Sequence, residues 1–260
     1  MRAVAPMYME EVSAMSDPNA KVYIRIRVRF SKHGPVKYVG HLDMMRFFQK
    51  AIRRAGFDIR YSEGFSPHQV ISFAAPLGVG MESDAEYFDM DMISTLSSEE
   101  SIQKLNAQMT PGIRVLSYVE LPQGAAKAMA AVSAADYEIM TVGKGMSFAP
   151  NMEILNSRLE NFMAVDSLPL KKKTKKGGEK VVDIKPLVLK LVPLTENVIM
   201  ARVCQGSSRN LNIRTLALLL AKCCGLEYDE ASFMCVRKEV YCGGFGDGPL
   251  RSLDSIGREI

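Results

Sequence analysis

The chain has no apolar run approaching the about 20 residues that a membrane helix needs, which excludes a helical span and leaves no membrane partner to look for. It has no Cys-x-x-Cys or Cys-x3-Cys pair, although it has five cysteines (Cys204, Cys223, Cys224, Cys235 and Cys242), all in the last quarter. The usual cysteine motifs of an iron–sulfur cluster and of a zinc knuckle are therefore missing, and no metal site is expected. An odd cysteine count, with no basic-then-apolar signal pattern in Met1–Ala20, predicts reduced thiols in a cytoplasmic protein. Cys223 and Cys224, adjacent in an apolar helical context, read as core thiols. Large net charge is absent too. A formal +4 and an isoelectric point near 8.7 do not demand a nucleic-acid partner.

What is present is a 260-residue chain with 47% hydrophobic and 24% charged residues, the composition of a globular protein of one large or two small domains. Its charge is strongly segregated. From Lys21 to Arg60 eleven Lys and Arg face two acids, whereas Met81–Glu100 holds seven acids and no base. In Val22–Phe30 apolar residues alternate with Tyr23, Arg25, Arg27 and Arg29, which predicts a strand with one basic face. A helix is predicted over His41–Ala55, with Leu42, Met45, Phe48, Ile52 and Ala55 as its buried stripe and Gly56 as a left-handed cap. Strands are predicted at Phe57–Tyr61, Val70–Ala74, Glu86–Met92 and Ile113–Leu121. A helix opening at Ser97-Ser98-Glu99-Glu100 precedes the last of these. The second half repeats the order, with strands at Asp136–Val142, Leu168–Lys173, Val181–Leu191, Val198–Cys204 and Phe233–Tyr241 and helices at Met152–Phe162 and Leu211–Cys223. The expected fold is α+β: two ferredoxin-like (split β-α-β) layers in tandem, antiparallel sheets with helices on one face. Residues 21–121 and 134–241 form the halves, 122–133 the linker, and 1–20 and 242–260 weakly ordered ends.

Two chemistries are open at this level. His33, His41 and His68 each sit beside a turn, and His41 and His68, with Asp43 and Ser66 nearby in sequence, are the acid/base candidates of an enzyme acting on RNA. Equally, His41 can start a helix and His68 can orient a turn. The second chemistry is binding. Arg25, Arg27 and Arg29 on the strand, Arg46, Lys50, Arg53 and Arg54 on the helix, Gly64 in a turn, and the run Lys171, Lys172, Lys173, Lys175 and Lys176 are candidates to hold RNA or another anion. Asp89 and Asp91 stand ready to pair across strands with the arginines. Leu77-Gly78-Val79-Gly80 is a second candidate anion turn, lacking the ending of a phosphate loop. The helix cations can alternatively dock an acidic protein.

Several motifs in fixed order carry a resemblance. Ser31-Lys32-His33-Gly34-Pro35, Gly40-His41-Leu42-Asp43-Met44-Met45-Arg46, Arg53-Arg54-Ala55-Gly56, Tyr61-Ser62-Glu63-Gly64-Phe65-Ser66-Pro67-His68, Ile71-Ser72-Phe73-Ala74 and Val181-Val182-Asp183-Ile184-Lys185-Pro186 resemble the bacterial radical SAM-linked protein family of unknown function. Where that family commonly has a second proline after the Pro-His pair, this chain has Gln69. The resemblance implies a partner, a radical SAM protein with a cobalamin-binding-type domain, encoded beside or fused to the family member. The partner would hold the iron–sulfur cluster and SAM, and this chain no cofactor. The expected role is an accessory subunit that binds or presents a substrate, RNA among the candidates; a pure protein-interaction module is the bland alternative.

Overall fold

The structure, a computed structural model, describes residues 23–173, 177–244 and 248–260. The first half runs β1 (Ile24–Lys32), α1 (His41–Arg54), β2 (Ile71–Phe73), β3 (Glu82–Met92), α2 (Ser98–Asn106) and β4 (Ile113–Glu120), followed by a short α3 (Ala128–Ala131). The second runs β5 (Val132–Thr141), α4 (Met152–Ala164), β6 (Pro169–Lys173), β7 (Glu179–Asp183), β8 (Val188–Thr195), β9 (Val198–Cys204), α5 (Ile213–Cys223) and β10 (Phe233–Cys242), and β11 (Arg251–Ser252) closes the chain. Among the described residues nine strands form one mixed, mostly antiparallel sheet in the order β4-β1-β3-β10-β5-β9-β8, with β2 on β3 and β11 on β10; β6 and β7 make a separate hairpin. The halves are not two sheets. They join where β3 and β10 run parallel, Val236 opposite Glu82 and Arg237 opposite Ser83.

Local sequence explains most boundaries. Ser97 caps α2 by accepting the Glu100 N–H, and Gly56, at φ +72°, ends the turn after α1. The buried stripe of α1 is Met44, Phe48, Ala51 and Ile52; of the expected stripe Phe48 and Ile52 are buried, Met45 and Ala55 pack at its edge, and Leu42 does not belong to it. At about 100° per residue Leu42 lies on the opposite side of the helix from Met44, and it is exposed. The strand expected over Val181–Leu191 is split by a 3-10 turn at Lys185–Leu187, because Pro186 lacks the N–H a ladder needs. Phe57–Tyr61 makes only isolated bridges, Ile59 with Met92 and Tyr61 with Gln69.

Helices cover one face of the sheet. Ile26, Val28 and Phe30 of β1 pack with Met44, Phe48 and Ile52 of α1 and Leu105 of α2, and a cluster of Phe30, Phe48, Phe73 and Phe88 rings fills the centre. Ile139, Ile199 and Ala201 pack with Leu155 of α4 and Leu216 and Leu220 of α5. Arg237, in register with Ser83 on one side and Tyr137 on the other, reaches Glu86 and Tyr137 together, which places both helix layers on the same face.

The opposite face of the first half is covered by the connecting segment and by the chain's last residues. The segment expected to be a weakly ordered tail is packed. β11 pairs with β10, Leu253 is fully buried, Arg258 meets Glu120 at 2.8 Å, and the Ile260 carbonyl accepts the Ser98 N–H. Residues 1–20 lie outside the described residues. Among those described, no helix is long and apolar enough to cross a membrane.

Candidate functional site: a groove between the two halves

The strand arginines, the most conspicuous sequence candidates, face this covered side. Arg27 has no exposed surface. Its Nε and Nη2 hold the two carboxylate oxygens of Asp89 at 2.7 and 3.0 Å, while Nη1 donates to the Leu253 carbonyl and Nη2 to that of Ala126. Asp89 also accepts the Ala128 N–H at 2.6 Å. Arg25 pairs with Asp91 and donates to the Ala125 carbonyl; Arg29 pairs with Glu239 at 3.0 Å and approaches Asp254. These are structural pairs that staple the connecting segment and the last residues to the sheet, so of the two readings the sequence leaves open for this face, RNA contact and cross-strand pairing, the structure shows the pairing. A buried guanidinium needs its donors matched, and for Arg27 the chain supplies the acceptors itself, whereas the buried Arg29 Nε has none.

The histidines are not brought together. Each contacts a different set of groups, and among the described residues no group of three or more His, Cys, Asp or Glu is placed to hold a metal. His33 lies between Glu82 (3.1 Å) and Asp84 (3.0 Å). His41 packs edge-on against Phe73 as the first residue of α1. His68 accepts or donates at Ser62 Oγ (2.8 Å) and approaches the Ser66 carbonyl, which ties its own exposed loop. Asp43 pairs only with the neighbouring Arg46, on the surface. Gly64 (φ +109°) and the fully exposed Phe65 mark the tip of the His68 loop.

The remaining cations divide. Arg46, Lys50, Arg53 and Arg54 lie on the exposed side of α1, where Arg54 reaches Gln108. Lys171, Lys172 and Lys173 lie on β6, and Lys171 makes a long exposed pair with Glu179. Lys175 and Lys176 fall outside the described residues. The base of this hairpin is fixed by Asp183, whose carboxylate accepts the Lys185 and Leu168 N–H groups; those bonds hold its carboxyl below the usual range.

A groove of about 480 Å³ opens instead where the halves meet. Lys37, Tyr38, Val79, Gly80 and Met81 line it from the first half, and Val142, Arg214, Tyr228, Glu230, Phe233 and Cys235 from the second. A second pocket of about 230 Å³ shares Met81 and Arg214 with it and leads past Tyr137 and Arg237. Three cations, Lys32 and Arg237 buried and Arg214 partly exposed, shape the walls. Lys32 Nζ donates to the Val39 carbonyl at 2.7 Å and, at the limit of hydrogen bonding, to that of Lys37. Arg237 donates to the Ala75 and Pro76 carbonyls while paired with Glu86 at 2.8 Å, and Arg214 donates to the Val79 carbonyl. Three cations thus fix the two loops that form the first-half wall. Gly80 is required at φ +85°, and a Cβ there would stand 3.2 Å from the Arg214 guanidinium.

The electrostatics follow from burial. Lys32 is held below the usual lysine range, chiefly by burial and further by Arg237, against the attraction of Glu86. Burial also opposes the charge on Arg237, but Glu86 and Tyr137 more than offset it, so Arg237 stays charged. Burial works against Glu82 too, yet hydrogen bonds from His33, Gly34 and Lys37 hold its carboxyl below the usual range. The Cys235 thiol in the groove is pushed up to about 12, first by burial, and is therefore a neutral thiol rather than a ready nucleophile. Tyr228 stacks on Phe233 with ring centres 5.0 Å apart, and Tyr38 on the opposite wall is largely exposed. The cysteines are free; Cys224 is buried as expected, whereas Cys223 is exposed.

In the sequence Arg214, Tyr228 and Glu230 carry no signal of a site, and Cys235 appears only as one of five reduced thiols. The sequence points toward this place through the turns at Gly34-Pro35 and Leu77–Gly80, which carry the first-half wall.

Comparison with known families bears on the same region. A family model described as an uncharacterized protein conserved in bacteria (DUF2344) matches residues 25–213. The chain belongs to this family. The DUF2344 match takes in all but the first residue of β1, both groove loops of the first half and the second half as far as the first residue of α5; β10 and the groove residues Arg214, Tyr228, Glu230, Phe233 and Cys235 lie beyond it. No curated protein matches the chain.

Proposed function

We propose that this DUF2344 protein is an accessory subunit that holds a substrate in the groove between its halves and presents it to a partner radical SAM enzyme in the cytoplasm. One observation carries the binding part: an open groove of about 480 Å³, within the range of small-molecule sites, whose wall loops are pinned by buried Lys32 and Arg237 and by the partly exposed Arg214. Such a wall keeps its shape without a ligand, which lowers the ordering cost of binding. The neutral Cys235 thiol fits a holding role. The partner and its cluster, SAM and cobalamin-type domain rest on the resemblance of the motifs. The order β4-β1-β3 with β2 beyond, matched by β10-β5-β9-β8, supports reading each half as a split β-α-β unit.

Capture of the full chain from native extract tests this. The expected eluate contains a radical SAM protein and a bound molecule, and a Tyr38→Ala/Tyr228→Ala variant keeps the protein while losing the molecule. An eluate with no iron–sulfur protein, or a ligand unaffected by both substitutions, would contradict it.

RNA as the cargo is favoured by the exposed cations on α1 and by the exposed Lys171 and Lys180 of the β6–β7 hairpin, which are free of the burial that removes Arg27. Reversing Arg46, Lys50 and Arg53 should then flatten the salt dependence of RNA retention. An unchanged slope removes RNA contact at that face.

A further inference from the structure

The groove pairs rings with a cation whose ion pair is long and exposed. Arg214 spends one nitrogen on the Val79 carbonyl and meets Glu230 with the other at 3.5 Å. That pair is exposed, with 35% and 65% of the side chains open to solvent, and an exposed pair at this distance contributes little. Lys37, on the facing wall, is held at 3.4 Å from Glu82 and lies 5.6 Å from the Tyr38 ring centre. Tyr38 and the Tyr228–Phe233 stack supply flat apolar surface from both halves.

We infer that the groove takes a nucleotide, an aromatic base carrying a phosphate, with the phosphate displacing Glu230 from Arg214. This rests on the groove being the substrate site and names the class of substrate. A phosphate outcompetes the Glu230 carboxylate because it carries more charge and offers more acceptor oxygens to the planar guanidinium fork, with Lys37 adding a second positive charge. The base finds ring surface, and stacking on tyrosine tolerates any base. Glu230 therefore acts as a placeholder: it neutralises Arg214 when the groove is empty and opposes anions that approach. The same unit is available as a free nucleotide or as one residue of an RNA strand.

Calorimetric titration of the full chain with AMP, adenosine, inorganic phosphate and a short single-stranded oligoadenylate tests the assignment. AMP should bind at least about tenfold tighter than adenosine or phosphate, a difference of about 1.4 kcal/mol. Arg214→Gln should bring AMP down to the level of adenosine. Glu230→Gln should tighten AMP several-fold and leave adenosine unchanged; Glu230 is exposed, so this arm reads out even if Arg214→Gln fails to fold. Tighter binding of the oligoadenylate than of AMP assigns the unit to RNA, and the reverse assigns it to a free nucleotide. Equal binding of AMP and adenosine, both weakened by Tyr228→Leu, overturns the phosphate assignment while leaving the groove as a ligand site. No binding of any of the four probes overturns the nucleotide assignment, and the captured ligand of the preceding experiment then judges the groove separately.

Discussion

Two arginine–aspartate pairs in this protein are built alike and situated differently. Arg27 grips Asp89 with contacts of 2.7 and 3.0 Å, and Arg202 grips Asp136 with contacts of 2.7 and 2.8 Å. Both are two-pronged, both join neighbouring strands, and both lie on the sheet face away from the helices. Over Arg27 the chain has laid the connecting segment and Leu253, so no part of the guanidinium reaches water. Arg202 keeps 29% of its side chain exposed, has Tyr241 as its neighbour, and shares its face with half-buried Met140, Met200 and Met234. The same pair is a strut in one half and a surface feature in the other. Cover, not residue type, decides which, because desolvation multiplies the cost of leaving a charge unmatched.

That contrast can be broken by mutation. The largest loss is expected from Arg27→Ala, which strands Asp89 in a dry site and should cost about 3–5 kcal/mol in denaturant unfolding. A cost below about 1 kcal/mol would mean that water reaches the site. Leu253→Ala should follow at about 2–5 kcal/mol, since it hollows the cover itself. If the cover is what seals Arg27, this variant should also speed amide exchange at Ala126–Ala128. Arg202→Ala should cost only about 1 kcal/mol and should fade further in high salt. Equal losses for Arg27→Ala and Arg202→Ala would erase the distinction.

Charge patterning announces the first pair and leaves open whether its face binds RNA or pairs with its own aspartates. The alternation in Val22–Phe30 showed which residues share a face, and Asp89 and Asp91 were visible partners. Whether that face met water depended on Ala125–Ala128 and Leu253, up to 226 residues away from Arg27, which carry no local sign of where they will lie. Elements with strong periodicity or caps were legible: β1, α2 with Ser97, β9 and α5. The α1 stripe was legible only to within a residue or two, because Met44 and Met45 are both apolar and only packing on Phe30 and Phe88 chooses between them. The groove was the least legible feature. Its lining comes from five separated segments that meet because β3 and β10 pair in parallel, and a parallel pairing of strands so far apart in sequence leaves no turn signal between them.

A smaller effect sharpens the picture at the junction. Lys32 is held below its ordinary value of 10.5, so the unfolded chain binds its proton more tightly than the folded one. Stability should therefore rise with pH through the region below 10.5 as Lys32 deprotonates in the fold first, and Lys32→Met should flatten that rise. An unchanged slope in the variant would assign the titration to another group.

The most direct test of where this protein holds its cargo is a backbone amide map recorded during titration with AMP. The account predicts shifts concentrated at Lys37–Tyr38, Val79–Met81, Arg214 and Tyr228–Cys235, with Arg25–Arg29 unmoved. Shifts centred on Arg25–Arg29, with the groove silent, would contradict it.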